Sequence, residues 1–316
     1  MSAPFDTTAG NRVGQLGMTL SSIAYAADQT RIESLLADTS LATGGDWTLV
    51  WYARDAGNQV FVVQHGPSGQ YAIAIRGSVT DPKTKAFWID WLAQDLSVFR
   101  MADWPYGGAP AGARISHGSL QGLSSLLLLK DAAHGDLVSF FRNRARPYLT
   151  AVVGHSLGGA LASMLAPYLQ QQFSTGQSHT DQSRTDQSRL DFWPVTFAGT
   201  TAGNDVFADW LSDQFAMANS RYYNVNDLVP HAFQALDWIR TSFPDGPKLP
   251  IELIPLLGLI RETLKLEKAN YAQPGAGVAL QGRIDRGDNW FAEAGLQHSG
   301  ANYLALLGAP PVNNGG

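Results

Sequence analysis

Apolar positions along the first third of the chain change rhythm. In residues 11–27, NRVGQLGMTLSSIAYAA, they recur three and four apart, the spacing of one helix face. WTLVWYARD (47–55), NQVFVVQHG (58–66) and QYAIAIRGS (70–78) are instead short β-branched and aromatic runs separated by turn residues. The pattern predicts a helix followed by a β-meander. Helical spacing returns around 86–98 and 116–143, and YLTAVV (148–153) is a buried strand by its composition. GGALASMLAPYLQQQF (158–173) reads as a helix, FWPVTFAG (192–199) as a strand, 204–217 as a helix and SRYYNVND (220–227) as a strand. Strands alternating with helices predict an α/β fold with a mixed, mostly parallel sheet covered by helices on both faces. The polar tandem repeat TDQSRTDQSR (180–189) belongs to a solvated loop, 174–190. Residues 232–297, rich in Leu, Ile and Pro, precede a final helix in HSGANYLALLG, and no linker sets them off. One domain over residues 1–316 is expected.

Composition narrows the function classes. Charged residues make up 16% of the 316 residues and there are nine tryptophans, which fits a large apolar interior or a surface meant for an apolar partner. The net charge of −5 and the lack of any basic run argue against nucleic acid. Without cysteine there is no disulfide, thiolate nucleophile or zinc–thiolate site. No cofactor or metal is expected. The sequence MSAPFDTTAGNRVGQ lacks a basic stretch followed by an apolar core, so it carries no cleavable secretory signal. A cytoplasmic protein and a secreted one both fit. No apolar run reaches bilayer-spanning length; the nearest, LPIELIPLLGLIRETL, is broken by proline and charges.

The candidate chemistry lies in VVGHSLGGALAS (152–163). Gly154, His155, Ser156, Leu157 and Gly158 form G-x-S-x-G between a strand and a helix, the setting of a nucleophile elbow. A serine needs a histidine to take its proton and a carboxylate to orient that histidine. With the order Ser, acid, His, only His179, His231 and His298 follow Ser156. His179 adjoins the polar repeat and precedes any suitable acid. Asp227 ends a strand, where catalytic residues of open α/β sheets gather. His231 follows it too closely to bridge it to Ser156, whereas His298 comes after a long excursion, on a loop entering the last helix. Ser156, Asp227 and His298 are the expected catalytic residues.

These landmarks resemble the class 3 lipase family, the fungal triacylglycerol lipases and their bacterial relatives with an α/β-hydrolase fold. IRGS (75–78) resembles the family's strand-end Arg-Gly-Ser/Thr, FWIDWLAQDL its lid and following helix, and VVGHSLGGALA its elbow. VTFAGTTAGNDVFADW, NVNDLVP and HSGANY resemble its later blocks, in the family's order over about residues 15–305. The resemblance implies the triad named above, with the main-chain amides of Ser78 and Leu157 as the oxyanion hole. It also implies a lid at 78–96 and a lipid ester substrate met at a lipid–water interface. Triacylglycerol is the expected substrate. An esterase for short-chain, aryl or feruloyl esters, a phospholipase A1, or a non-catalytic lipid-binding module are the alternatives. SHGSLQGL departs from the family's His-x-Gly-Phe, and His117 is expected to make structural hydrogen bonds. The segment 232–297 reads as an insertion longer than in the fungal enzymes. Trp88, Trp91 and Leu257 are the expected acyl-binding residues, the first two on the lid and the third in KLPIELIPLLGLIRETLKLEK (248–268). Oligomeric state has no signal in the sequence.

Overall fold

The computed structural model describes residues 5, 11–79, 82–88, 99–144, 150–173, 192–215, 217–285, 287 and 289–315. Two helices, α1 (Arg12–Ile23) and α2 (Gln29–Leu36), precede strands β1 (Trp47–Arg54), β2 (Gln59–His65) and β3 (Tyr71–Ile75). The three strands pair antiparallel in sequence order, forming the expected meander. Helix α2 has little apolar periodicity to announce it; Asp28 starts it by accepting the Arg31 N–H. Strands β4 (Met101–Asp103) and β5 (Arg114–Ser116) lead into helix α3 (His117–Leu127), and α4 (Leu137–Arg142) follows. The stretch 116–143 is therefore two helices. Gly135, at φ 70°, and the turn built on Asp131 separate them, and the carboxylate of Asp136 caps the second.

Strand β6 (Thr150–His155) runs into α5 (Leu157–Phe173), and β7 (Phe192–Phe197), β8 (Gly203–Asn204), α6 (Asp205–Phe215) and β9 (Arg221–Asn224) follow. Beyond them come α7 (Leu236–Ile239), α8 (Leu253–Leu266), β10 (Tyr271–Ala272), β11 (Val278–Leu280), α9 (Trp290–His298) and α10 (Gly300–Leu306). The main sheet has seven strands in the order β1-β2-β3-β6-β7-β9-β11. Every pair from β3 onward is parallel, so the sheet is mixed and mostly parallel. A second, antiparallel sheet has the order β10-β8-β5-β4.

Alternation along β7 covers both faces. Val195 and Phe197 meet α1 at Gly17, while Thr196 faces the opposite side, toward Gly159 and Ser163 of α5. Around this sheet the apolar side chains form one large core. A second apolar cluster joins Phe87, Trp88, Phe243, Leu257, Ile260 and Trp290, which come from the 78–96 stretch and from residues 232–297. Among the described residues no helix is long and apolar enough to cross a membrane.

Candidate active site

Strand β6 and helix α5 meet at Ser156, whose φ of 60° is a left-handed conformation that side chains other than glycine rarely adopt. The turn is held by Ser156 N–H donating to Phe197 O at 2.9 Å and by Ser156 O accepting the N–H groups of Gly159 and Ala160. Strand and helix close so tightly that a Cβ on Gly154 would stand 2.1 Å from Gly158 O. Glycine at both positions is thus a steric demand of the corner.

The three residues singled out by chain order meet at this turn. Ser156 Oγ lies 2.9 Å from His298 Nε2, and His298 Nδ1 lies 2.9 Å and 3.1 Å from the two Asp227 oxygens. An ionised carboxylate only accepts, so Nδ1 carries the ring proton and Nε2 is free to accept from the serine hydroxyl. Asp227 has no exposed surface, and its charge is met by donors on every side. Val229 N–H donates to Oδ1 at 3.0 Å and Tyr303 O–H donates to Oδ2 at 2.8 Å. Tyr303 itself accepts the Asn224 N–H at 2.9 Å. Burial, and next the negative charge of Asp227, push the Tyr303 phenol well above its ordinary range, so it remains a donor. His298 ends α9 instead of lying on a free loop, and Ser299 then caps α10 by accepting the Asn302 N–H.

His155, the residue before the serine, holds the histidine from behind. Its Nε2 lies 2.8 Å from the carbonyl oxygen of His298, and a carbonyl can only accept, so Nε2 bears a proton. Burial first, then the neighbouring His298, hold His155 well below the usual imidazole range. It is therefore neutral, and Nδ1 accepts from the Tyr25 hydroxyl at 3.3 Å. Neither Tyr25, Tyr303 nor this use of His155 was readable in the sequence. The contacts join positions 130, 76 and 143 residues apart, and an isolated tyrosine carries no motif.

A cavity of about 470 Å³ opens over Ser156 and His298, within the usual range of small-ligand sites. Tyr25, Ser78, Val79, Pro82, Phe87, Leu304, Pro311 and Val312 line it. Ser78 is exposed at its rim. Leu157 is the first residue of α5, so its amide has no acceptor within the helix. Both proposed oxyanion amides thus belong to segments bordering the nucleophile.

Of the expected acyl-binding residues, Leu257 and Trp88 do not border this cavity. Leu257 is 3% exposed in the second apolar cluster and does not border this cavity. Helix α8 turns Leu253, Leu257, Ile260 and Leu264 inward and places Arg261, Glu262 and Lys265 in solvent, as an amphipathic helix must. Trp88 is also wholly buried there, its indole N–H donating to Pro82 O; its neighbour Phe87 reaches the cavity instead. Trp91 and most of the 78–96 stretch lie outside the described residues, as does the 180–189 repeat. His117, expected to make structural hydrogen bonds, is exposed; the helix start beside it is capped by Ser116, whose hydroxyl donates to Ser119 Oγ at 2.7 Å and accepts the Ser119 N–H at 2.9 Å. Among the described residues no cluster of His, Asp and Glu could hold a metal.

The family Lipase (class 3) matches residues 72–236, just over half of the chain. Among solved structures, M37 lipase is similar over 93% of this chain and 92% of its own, at 25% identity and a TM-score of 0.76. A triacylglycerol lipase from Penicillium expansum shares the fold at 19% identity and a TM-score of 0.50, over 89% of this chain and 82% of its own. Yarrowia lipolytica LIP2 lipase does so at 16% identity and a TM-score of 0.52, over 72% and 75%. No curated protein sequence matches. A serine on a strained strand-to-helix corner of a mostly parallel sheet, within a chain that the family covers from β3 to α7, places this protein in the class 3 lipase family, whose members are carboxylic-ester hydrolases acting on lipids.

Proposed function

We propose that the protein is a triacylglycerol lipase that works through an acyl-enzyme on Ser156. Ser156 Oγ attacks the ester carbonyl as His298 Nε2 takes its proton. His298 returns that proton to the departing alcohol, and a water repeats the sequence to free the fatty acid. Asp227 holds the ring tautomer and offsets the imidazolium charge. The amides of Ser78 and Leu157 face the oxygen that becomes negative. One observation carries the reading: His298 bridges Ser156 Oγ and Asp227 at 2.9 Å on both sides, all three residues being buried at the floor of an open cavity. Support for a lipid substrate comes from the family and from the apolar side chains Val79, Pro82, Phe87, Leu304 and Val312 around the cavity. Entry of a long acyl chain calls for the Phe87 side chain to yield, because it stands at the cavity and only 6.5 Å, ring to ring, from His298.

The test is hydrolysis of p-nitrophenyl esters from C2 to C16 beside an emulsified long-chain triglyceride, with the wild type and Ser156→Ala. Turnover of the emulsion, with a loss of kcat of about three or more orders of magnitude in the variant, is expected. Activity confined to dissolved short esters would make the protein an esterase. Undiminished turnover by Ser156→Ala would remove the mechanism.

A further inference from the structure

Tyr25 stands on the turn that follows α1, far from every motif block, yet its side chain borders the cavity over Ser156. Its hydroxyl sits against the strand-end glycine of the oxyanion segment. The place a Cβ on Gly77 would take is 2.3 Å from Tyr25 Oη, 2.6 Å from His155 O and 3.3 Å from Ser156 Cβ. The phenol oxygen and the nucleophilic residue therefore flank the same few ångströms of space, on the side where Ser78 begins. This also explains glycine at 77: any side chain would expel the phenol.

The O–H group there is weakly engaged. Its acceptors are His155 Nδ1 at 3.3 Å and His155 O at 3.4 Å, both long against the 2.7–2.8 Å typical of hydroxyl donors. A neutral nitrogen and a neutral carbonyl, both at long range, are poor competitors for a proton that an anionic oxygen could take at a shorter distance. Burial raises the phenol well above its ordinary range, against a smaller opposing pull from Gly77 N–H and the Arg76 charge. Tyr25 accordingly keeps its proton in the range where esterases work. It would donate to an oxyanion and never repel it.

Resting on the acyl-enzyme reading above, we infer that the Tyr25 hydroxyl is a third donor to the ester carbonyl oxygen, added by the α1 turn to the two main-chain amides. The hydroxyl leaves its long contacts with His155 as charge develops and returns to them when the tetrahedral intermediate collapses. No proton is transferred. The contribution is confined to the charged state, so it acts on kcat and spares KM.

Tyr25→Phe removes the donor and keeps the ring. On p-nitrophenyl butyrate its kcat is expected to fall by about 10- to 100-fold, with KM within about threefold of wild type. The decisive readout is inhibition by two matched ketones. An alkyl trifluoromethyl ketone forms a hemiketal oxyanion on Ser156, whereas the methyl ketone of the same chain stays trigonal. The inhibition constant of the first should rise by the factor lost from kcat/KM, and that of the second should stay as in wild type. A kcat within twofold of wild type overturns the inference, as does equal weakening of both ketones, which would make Tyr25 only part of the wall. Far-UV circular dichroism of the variant guards against misfolding, and 3-fluorotyrosine at position 25 gives a second probe. Keeping the hydroxyl and making it more acidic should leave trifluoromethyl ketone binding at least as tight as wild type; loss of that binding counts against the inference. Ser156→Ala separates the two levels. An inactive Ser156→Ala beside an unaffected Tyr25→Phe rejects the tyrosine alone, whereas an active Ser156→Ala rejects both.

Discussion

Asp227 and His298 were legible because the chemistry constrains their order along the chain. An acid near a strand end and a histidine before the last helix satisfied it, and in the structure His298 lies within hydrogen-bond distance of Ser156 on one side and of Asp227 on the other. What surrounds them was not legible, since nothing local marks a residue as the partner of another a hundred positions away. His155 illustrates the difference: its place in G-x-S-x-G was evident, but its bond to the His298 carbonyl exists only in the fold. That buried, neutral imidazole has a consequence for stability. Its proton affinity is well below the 6.5 of a free imidazole, so below that pH the unfolded chain binds a proton that the folded chain refuses. Stability should fall as pH drops from about 6.5, with a limiting slope near 1.4 kcal/mol per pH unit for this one group. His65 and His231 are lowered in the same sense, and Glu293, raised by burial, opposes them at lower pH. His155→Gln keeps an N–H for the His298 carbonyl but cannot titrate. Denaturant midpoints between pH 7.5 and 5.5 should decline less steeply in this variant than in the wild type. Parallel declines would mean that the ring accepts a proton in place.

At the scale of elements, periodicity located helices better than it located their roles. The 248–268 segment is expected to carry the acyl-binding Leu257, and α8 is an amphipathic helix, but an apolar face identifies only that something covers it. Here the face is packed against Trp88, Phe243 and Trp290. The cavity is bordered instead by Leu304 of α10 and by Pro311 and Val312 after it, a stretch too short and too proline-rich to show a period. These two placements separate in experiment. Val312 is half-buried at the cavity, so Val312→Trp should shorten the acyl pocket. The ratio of kcat/KM for C4 over C16 p-nitrophenyl esters is expected to rise about tenfold, in the range of a few lost methylene contacts, with little change in Tm. Leu257→Trp should do the reverse: an overpacked core costs on the order of 1–3 kcal/mol, lowering Tm while the ratio stays put. A changed ratio in Leu257→Trp would return α8 to the substrate site.

Across the whole molecule, residues 232–297 are the part least like a repeated βα unit, yet they are fastened to the sheet by buried polar contacts. Thr201 Oγ1 donates to Ala232 O at 2.9 Å and accepts the Phe233 N–H at 2.9 Å. Gln273 Nε2 donates to Gly199 O at 3.0 Å and Pro230 O at 2.7 Å. Arg221, buried at the start of β9, donates to the carbonyls of Pro274, Gly275 and Ala276. His298 then sits where the two apolar clusters join, with Trp290 and Ala294 of α9 packed in the second and Tyr303 and Leu304 of α10 in the first. Loosening either cluster must shift His298 relative to Ser156, so the molecule should unfold as one domain. Leu257→Ala tests this from the side remote from the cavity. Emptying a site that is 3% exposed costs about 2–5 kcal/mol, which for a chain of this size lowers Tm by roughly 5–10 °C. Far-UV circular dichroism, tryptophan fluorescence and residual esterase activity should then move down together and keep coincident midpoints. Loss of activity and fluorescence well before the dichroism signal would show instead that the second cluster melts as a separate unit, with the sheet surviving it.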